Sequence, residues 1–165
     1  MEKQRAKSSG QDLKCTIHPL DSLGDYIYVV ICTFYKNRII LSRQKKKQTW
    51  ETQGGHIEEG ESPIETARRE LFEESGIRDA EIIPVCDYYG YDATSHANGM
   101  VFAAIVHELG SLPESEMAEV KIFDHFPEAL SYPFVTPVLF EECGKELRHH
   151  RDICSDESAD IKVGL

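Results

Sequence analysis

The sequence predicts an α/β fold, a mixed sheet flanked by helices, built as one domain. Three observations carry this expectation. Residues 26–34 and 38–42 are two apolar, β-branched runs separated by the turn pair Lys36-Asn37, which reads as a hairpin. Residues 62–75 carry a complete helix start and stop around an apolar stripe. Further strand-like runs follow that helix, and a second helical segment closes the order. A chain of 165 residues supplies material for a single sizeable core.

Residues 1–12 are polar and basic and are expected to form a disordered arm; residues 13–24 show no clear periodicity. After the hairpin, Lys45, Lys46 and Lys47 make a short basic loop before Trp50, and Gly54-Gly55 is expected to be a sharp bend. The helix follows. Ser62 suits its N-cap, Pro63 its first position, Glu65 the capping box, and Gly76 its end. Ile64, Ala67, Leu71 and Phe72 supply its buried stripe. Strands are expected at 81–89, 100–107 and 119–124, with residues 92–99 as a polar loop. Pro137 opens a second helix through residue 150. The expected division is an arm at 1–12, a folded domain at 13–152 and a mobile acidic tail at 153–165.

Composition narrows the functional classes. The net charge of −11 opposes binding to extended nucleic-acid backbones. It does not oppose a nucleotide substrate whose phosphates are neutralised by a cation. The five cysteines are scattered, odd in number and form no CxxC pair, which argues against a zinc site and a disulfide framework. Cys32 and Cys86 lie in apolar runs and are expected to be buried thiols. No apolar run approaches the roughly 20 residues of a membrane-spanning helix, and the start of the chain lacks a signal-like apolar core. A cytoplasmic location is therefore expected, with no membrane partner.

The helix carries the chemistry. Glu70, Glu73 and Glu74 are spaced i, i+3, i+4 and project from one face. Such a cluster either faces solvent, balanced by Arg68 and Arg69, or surrounds a hard cation with oxygen ligands. Glu61 offers a further carboxylate, and Arg69 can orient a neighbour through a bidentate pair.

The surrounding segment decides between these readings. Residues 55–61 read GHIEEGE and, seven residues later, residues 69–77 read RELFEESGI. This resembles the Nudix box, G-x5-E-x7-R-E-U-x-E-E-x-G-U with U a bulky aliphatic residue. Gly55, Glu61, Arg69, Glu70, Leu71, Glu73, Glu74, Gly76 and Ile77 all match. The resemblance is exact over 55–77 and holds in outline over 24–145. One departure is Gln53-Gly54-Gly55, where many members have Pro-Gly-Gly.

The resemblance implies an α/β/α sandwich and hydrolysis of a nucleoside diphosphate linked to another moiety. It implies Mg²⁺ as cofactor, with Mn²⁺ as substitute. The implied metal ligands are Glu70, Glu73, Glu74 and the Gly55 carbonyl, with Glu61 assisting and Arg69 holding the carboxylates. Glu74 is a candidate base unless its ligand role precludes it. Relatives also recruit a base from a later loop, where Glu116 is the choice and Glu114 and Glu119 compete. From the residues themselves, Arg43, Lys45 and Lys47 are candidates for substrate phosphates, against a solvated turn. Gln53 is a candidate substrate contact; Trp50 fits the core better than a base. Tyr88, Tyr89 and Tyr91 alternate along a strand, so that at least one, with Tyr89 preferred, can meet a nucleobase. His56 and His96 are further candidates.

A nucleoside triphosphate, such as an oxidised guanine nucleotide, is the leading substrate expectation, yielding monophosphate and pyrophosphate. The alternatives are a nucleotide sugar, a dinucleoside polyphosphate or an RNA 5′ end. An isopentenyl-diphosphate isomerase-like protein is disfavoured because the required cysteine–glutamate pair is not identified. A silent nucleotide sensor is disfavoured by the intact box glutamates. Homodimers are frequent in the family, and nothing in the sequence decides that state.

Overall fold

The computed structural model describes residues 10–153. Its elements, in order, are β1 (Lys14–His18), β2 (Tyr28–Tyr35), β3 (Arg38–Gln44), β4 (Trp50–Glu51), β5 (Gln53–His56), α1 (Pro63–Ser75), β6 (Asp79–Tyr91), β7 (His96–Glu108), β8 (Met117–Phe123) and α2 (Thr136–Ile153). Each expected strand and both expected helices form, and β1 occupies part of the stretch left open. Most of the expected arm and tail, up to residue 9 and from residue 154, lies outside the described residues.

β2 is the spine of the sheet. Along one edge it runs parallel to β7. Its other edge is shared: β5 pairs with residues 28–31 and β3 with residues 33–35. β3 then diverges to pair with β4 and β8, while β6 and β1 extend the sheet beyond β7. The sheet is mixed because the β2–β7 pair is parallel and the others are antiparallel.

Period-two alternation sends residues of the central strands to two cores. Val29, Ile31, Met100, Phe102 and Ala104 pack with Ala67 and Leu71 of α1. Cys32, Phe34, Val101 and Ala103 pack with Leu139, Phe140 and Leu147 of α2. A helix layer therefore covers each face, giving the expected α/β/α sandwich. The buried cysteines Cys32, Cys86 and Cys143 are free thiols, and burial pushes Cys86 up to about 12.

Local chemistry sets the limits of α1 as the sequence predicts. The Ser62 hydroxyl accepts from the Glu65 N–H, and the Glu65 carboxylate accepts from the Ser62 N–H at 2.8 Å. Gly76 ends the helix at φ 78°, a left-handed conformation that favours glycine.

Two loop expectations change. Gly54 and Gly55 do not bend the chain; they lie in β5, paired with Val30 and Val29. They are needed for close approach: a Cβ on Gly54 would strike the Val29 carbonyl oxygen, and one on Gly55 the Glu70 carboxylate. The 92–99 loop is shorter than expected, because β7 already begins at His96. Asp92 Oδ1 accepts from the N–H groups of Thr94 at 2.8 Å and Ser95 at 2.9 Å, closing a tight turn.

Gln53 is fully buried, 0 % exposed, where β3 parts from β2. Its carbonyl oxygen accepts from the Thr33 hydroxyl at 2.6 Å, and its amide donates to Ser42 Oγ at 2.9 Å. Ser42 in turn donates to the Glu74 carbonyl at 2.8 Å, tying the fork to the end of α1. The expected substrate contact is thus spent inside the fold. Gln53→Ala should lower stability by about 2–3 kcal/mol, through a cavity, a stranded Thr33 hydroxyl and a lost bond to Ser42. Urea unfolding checks this, and an unchanged midpoint refutes the structural assignment.

Candidate active site

Arg69 organises the acidic face of α1. Its Nε and Nη2 each reach Glu61 at 2.8 Å, a bidentate pair. Nη1 donates to Glu70 at 2.9 Å and Glu73 at 3.3 Å, and Nη2 also donates to the His56 carbonyl at 3.2 Å. The guanidinium holds Glu61 down to about 2, helped by the Glu58 N–H and the Thr66 hydroxyl. The Arg69 pKa is raised in turn, first by its bonds to Glu61.

Glu74 lacks such a partner. Burial pushes it from the ordinary value of 4.5 up to about 8; the Gly54 N–H, donated at 2.7 Å, lowers it, while the charges of Glu70, Glu51 and Glu116 raise it. Glu70 is also raised, chiefly by burial, against the lowering effect of Arg69. Among the described residues, no three acidic, histidine or cysteine side chains are gathered into a ready metal set. Instead, one Arg69 nitrogen bridges Glu70 and Glu73.

The donor chemistry nevertheless fits a hard divalent ion. Glu70 and Glu74 are half-buried oxygen donors whose charged forms are disfavoured first by desolvation and then by neighbouring carboxylates, Glu73 and Glu58 for Glu70 and Glu70, Glu51 and Glu116 for Glu74. A cation among them is what allows both to ionise.

A cavity of about 410 Å³ adjoins these groups, with Tyr28, Glu51, Gly54, Gly55, His56 and Tyr132 in its walls. Gly54 and Gly55 also touch Glu74 and Glu70, so the β5 backbone is a wall common to cavity and carboxylates. Tyr28 meets Tyr88 edge-on at 5.2 Å. Gly90 and Gly99 leave them room, since a Cβ on either would press on these rings.

The sequence-predicted residues fall into groups. Glu61, Arg69, Glu70 and Glu73 form one bonded cluster. Glu74 stands beside it against Gly54, and Glu116 is exposed but close enough to act on Glu74 by charge. Lys45 pairs with Glu114 at 2.7 Å on the surface. Lys47 lies nearer the cavity, 3.4 Å from Glu51 and over the Tyr132 ring. Arg43 donates to the Lys47 carbonyl and lies over Trp50, while Trp50 packs edge-on against Phe123 at 4.9 Å, in keeping with its core reading. Tyr89 faces away from the cavity that its neighbours Tyr88 and Gly90 line.

The sequence reading missed Glu51, Tyr28 and Tyr132. Glu51 is 5 % exposed and accepts from Gln44 at 2.5 Å. Its only signal was position: a carboxylate just before the glycine pair.

A family model for the NUDIX domain matches residues 25–137. An RNA pyrophosphohydrolase of Rhizobium meliloti is 44% identical over 54 residues, covering 32% of this chain and 32% of the relative. One from Francisella tularensis subsp. mediasiatica is 34% identical over 77 residues, covering 44% of this chain and 50% of the relative. The matches thus span a third to a half of these curated relatives. Among solved structures, the Bacillus subtilis pyrophosphohydrolase BsRppH superposes with a TM-score of 0.68 at 16% identity, covering 81% of this chain and 90% of that one. The NUDIX domain of Shewanella oneidensis NrtR, complexed with ADP ribose, gives 0.60 at 19% identity, covering 74% and 88%. These structural likenesses establish the fold. No helix among the described residues is long and apolar enough to cross a membrane.

Two outcomes are expected. A raised carboxyl pKa means that folding takes up a proton between the unfolded value near 4.5 and the folded value of about 8. The metal-free chain should therefore lose stability as pH rises through that window, then level off. Urea midpoints across it check this, and an equal slope in Glu74→Gln refutes the assignment. Gly55→Ala should keep the fold while displacing the Glu70 carboxylate. Calorimetric titration with Mg²⁺ should then show affinity weakened roughly 10- to 100-fold, and unchanged affinity contradicts this packing role.

Proposed function

We propose that this chain, which belongs to the Nudix family, is a divalent-metal-dependent pyrophosphohydrolase that cleaves a phosphoanhydride in a nucleoside 5′-polyphosphate. The observation that carries the reading is the shared β5 wall: a 410 Å³ cavity on the same glycines that touch Glu70 and Glu74. A nucleoside in the cavity brings its phosphates toward the carboxylates.

In this reading Glu70, Glu73 and Glu74 hold the metal, with the Gly55 carbonyl as a further ligand. Mg²⁺ is the preferred ion and Mn²⁺ its substitute. Bound there, the ion supplies charge neutralisation on the diphosphate and a lower pKa for an attacking water. Glu61 and Arg69 fix the carboxylates and do not meet substrate. Glu116, exposed and facing Glu74 electrostatically, accepts the proton of the attacking water. Lys47, at the cavity edge beside Glu51 and Tyr132, steadies a phosphate.

The names of the curated relatives favour a 5′-polyphosphorylated RNA end as substrate. A free nucleoside triphosphate is the second reading, favoured by a cavity whose volume suits one small ligand. A hydrolysis panel with Mg²⁺ or Mn²⁺ separates them: normal and oxidised nucleoside triphosphates, nucleotide sugars, dinucleoside polyphosphates and triphosphorylated RNA, with products resolved by chromatography. Glu73→Gln and Glu74→Gln should each fold normally yet lose kcat by orders of magnitude on the preferred substrate. Near-wild-type turnover in both refutes the metal site; no turnover of any substrate by folded wild-type protein refutes the hydrolase reading.

A further inference from the structure

The ammonium of Lys47 is held in place before any substrate arrives. It lies 3.4 Å from Glu51 and over the Tyr132 ring, 5.7 Å from the centroid, and both partners line the cavity on β5. The Lys47 backbone is fixed as well: its N–H donates to the Gln44 carbonyl at 3.0 Å, and its own carbonyl accepts from Arg43 at 3.1 Å. A lysine on a free four-carbon stem loses rotamer freedom on meeting a phosphate. In this fold that freedom is already restricted.

The Tyr132 ring is itself held by three parts of the chain. The 129–131 segment docks on β4: the Trp50 N–H donates to the Ala129 carbonyl at 2.8 Å, the Ser131 N–H to the Trp50 carbonyl at 2.9 Å, and Thr49 and Ser131 share a hydroxyl–hydroxyl bond at 2.7 Å. Toward α2, the Tyr132 carbonyl accepts from the N–H groups of Val135 at 3.1 Å and Thr136 at 3.0 Å. The third hold is Gly10, which lies so close that a Cβ there would come within 2.7 Å of the ring and 2.9 Å of the Ser131 carbonyl oxygen. Its φ of 77° is in the left-handed region that favours glycine. Gln11 donates to the Leu130 carbonyl at 2.9 Å, and Leu13 reaches the cavity wall. Residues 10–12, which the sequence places in a disordered arm, thus belong to a strap across this loop.

The hydroxyl of Tyr132 is raised chiefly by burial and then by the charge of Glu51; Lys47 lowers it and Glu74 raises it. The ring therefore stands between the cavity and the acidic face of α1. Packing alone accounts for its burial, but not for an ammonium kept over its face beside a buried carboxylate. Resting on the reading that Lys47 steadies a phosphate, we infer that Tyr132 is a positioning residue for Lys47: the strap seats the ring, and the ring face with Glu51 holds the ammonium where a phosphate passes from the cavity to the carboxylates of α1. The ring attracts the cation through its quadrupole without neutralising it. The separation from Glu51 is longer than the roughly 2.7–2.9 Å of a close charge-assisted bond, so the ammonium stays available to an anion.

The test uses the full chain and ATP, with affinity read by calorimetric titration in Ca²⁺ and turnover in Mg²⁺. Lys47→Met should weaken ATP binding on the order of tenfold. Tyr132→Leu should weaken it roughly 3- to 10-fold, and Tyr132→Phe, which keeps the ring face, should recover most of that loss. The two losses should not add: in a Lys47→Met background, Tyr132→Leu should remove little further affinity. Gln11→Ala, which loosens the strap outside the cavity lining, should give a smaller loss with the same dependence on Lys47; it decides the matter if Tyr132→Leu does not fold. Wild-type affinity in Tyr132→Leu overturns the inference, as do losses that add in full to that of Lys47→Met. Unchanged affinity in Lys47→Met removes the phosphate role of Lys47 and the inference with it. Coupled losses without turnover keep the positioning role and remove the hydrolase reading; no binding of ATP by folded wild-type protein overturns both.

Discussion

Gly54 donates its backbone N–H to the Glu74 carboxylate, and Gly55 packs its bare Cα against Glu70. This side-chain-free approach of β5 to α1 is the constraint on which the rest of the site depends. It brings a strand backbone to the acidic groups and makes that strand the wall of a cavity on its other side. The same approach buries Glu74 and disfavours its charge. A side chain at Gly55 would press on the Glu70 carboxylate, and one at Gly54 would strike the Val29 carbonyl and push β5 away from β2. The requirement is for proximity; Gly55 has no positive φ in this fold.

The electrostatics divide along the helix. At its N-terminal side, Arg69 compensates Glu61 fully and shares one nitrogen between Glu70 and Glu73. At its C-terminal side, Glu74 has a single backbone N–H bond and the unfavourable charges of Glu70, Glu51 and Glu116. A guanidinium has a fixed fork and no titration near neutral pH, so it can set carboxylate geometry without leaving. The group left uncompensated is the one a divalent cation neutralises most usefully. Stability and function pull in opposite directions here: burying Glu74 costs folding free energy in the metal-free chain, and binding an ion returns it.

Much of this was legible in the sequence, for reasons that differ by residue. The limits of α1 were readable because Ser62, Pro63, Glu65 and Gly76 act on the backbone within a few positions of themselves. The bonded set of Glu61, Arg69, Glu70 and Glu73 was readable because helix spacing and one loop place them together. Gln53 was misread because its fate depends on where β3 leaves β2, a feature of long-range pairing. Asp87 was not singled out at all. It is fully buried and accepts from the N–H groups of Asp21 and Leu23 and from the Tyr26 hydroxyl at 2.6 Å, fixing the loop that leads into β2. Its partners lie more than sixty residues away, beyond any local pattern. β1 escaped for a similar reason: it is a short edge strand that pairs with β6, far along the chain.

A net charge of −11 and action on a nucleic-acid end need not conflict. Binding a long strand by its backbone requires many cations in a row, because affinity comes from releasing counterions phosphate by phosphate. The cavities here are not built that way. Among the described residues, neither the cavity on β5 nor a second one at the tip of the β6–β7 ribbon has a lysine or arginine in its lining, and the cavity on β5 is walled by apolar side chains, tyrosines, histidines, backbone and Glu51. The phosphates of an extended strand would meet a net acidic surface and be repelled. On the proposed reading, the same charge that disfavours extended nucleic acid leaves only the reacting phosphates of one chain end to be met, by the carboxylates of α1 and the cation proposed among them.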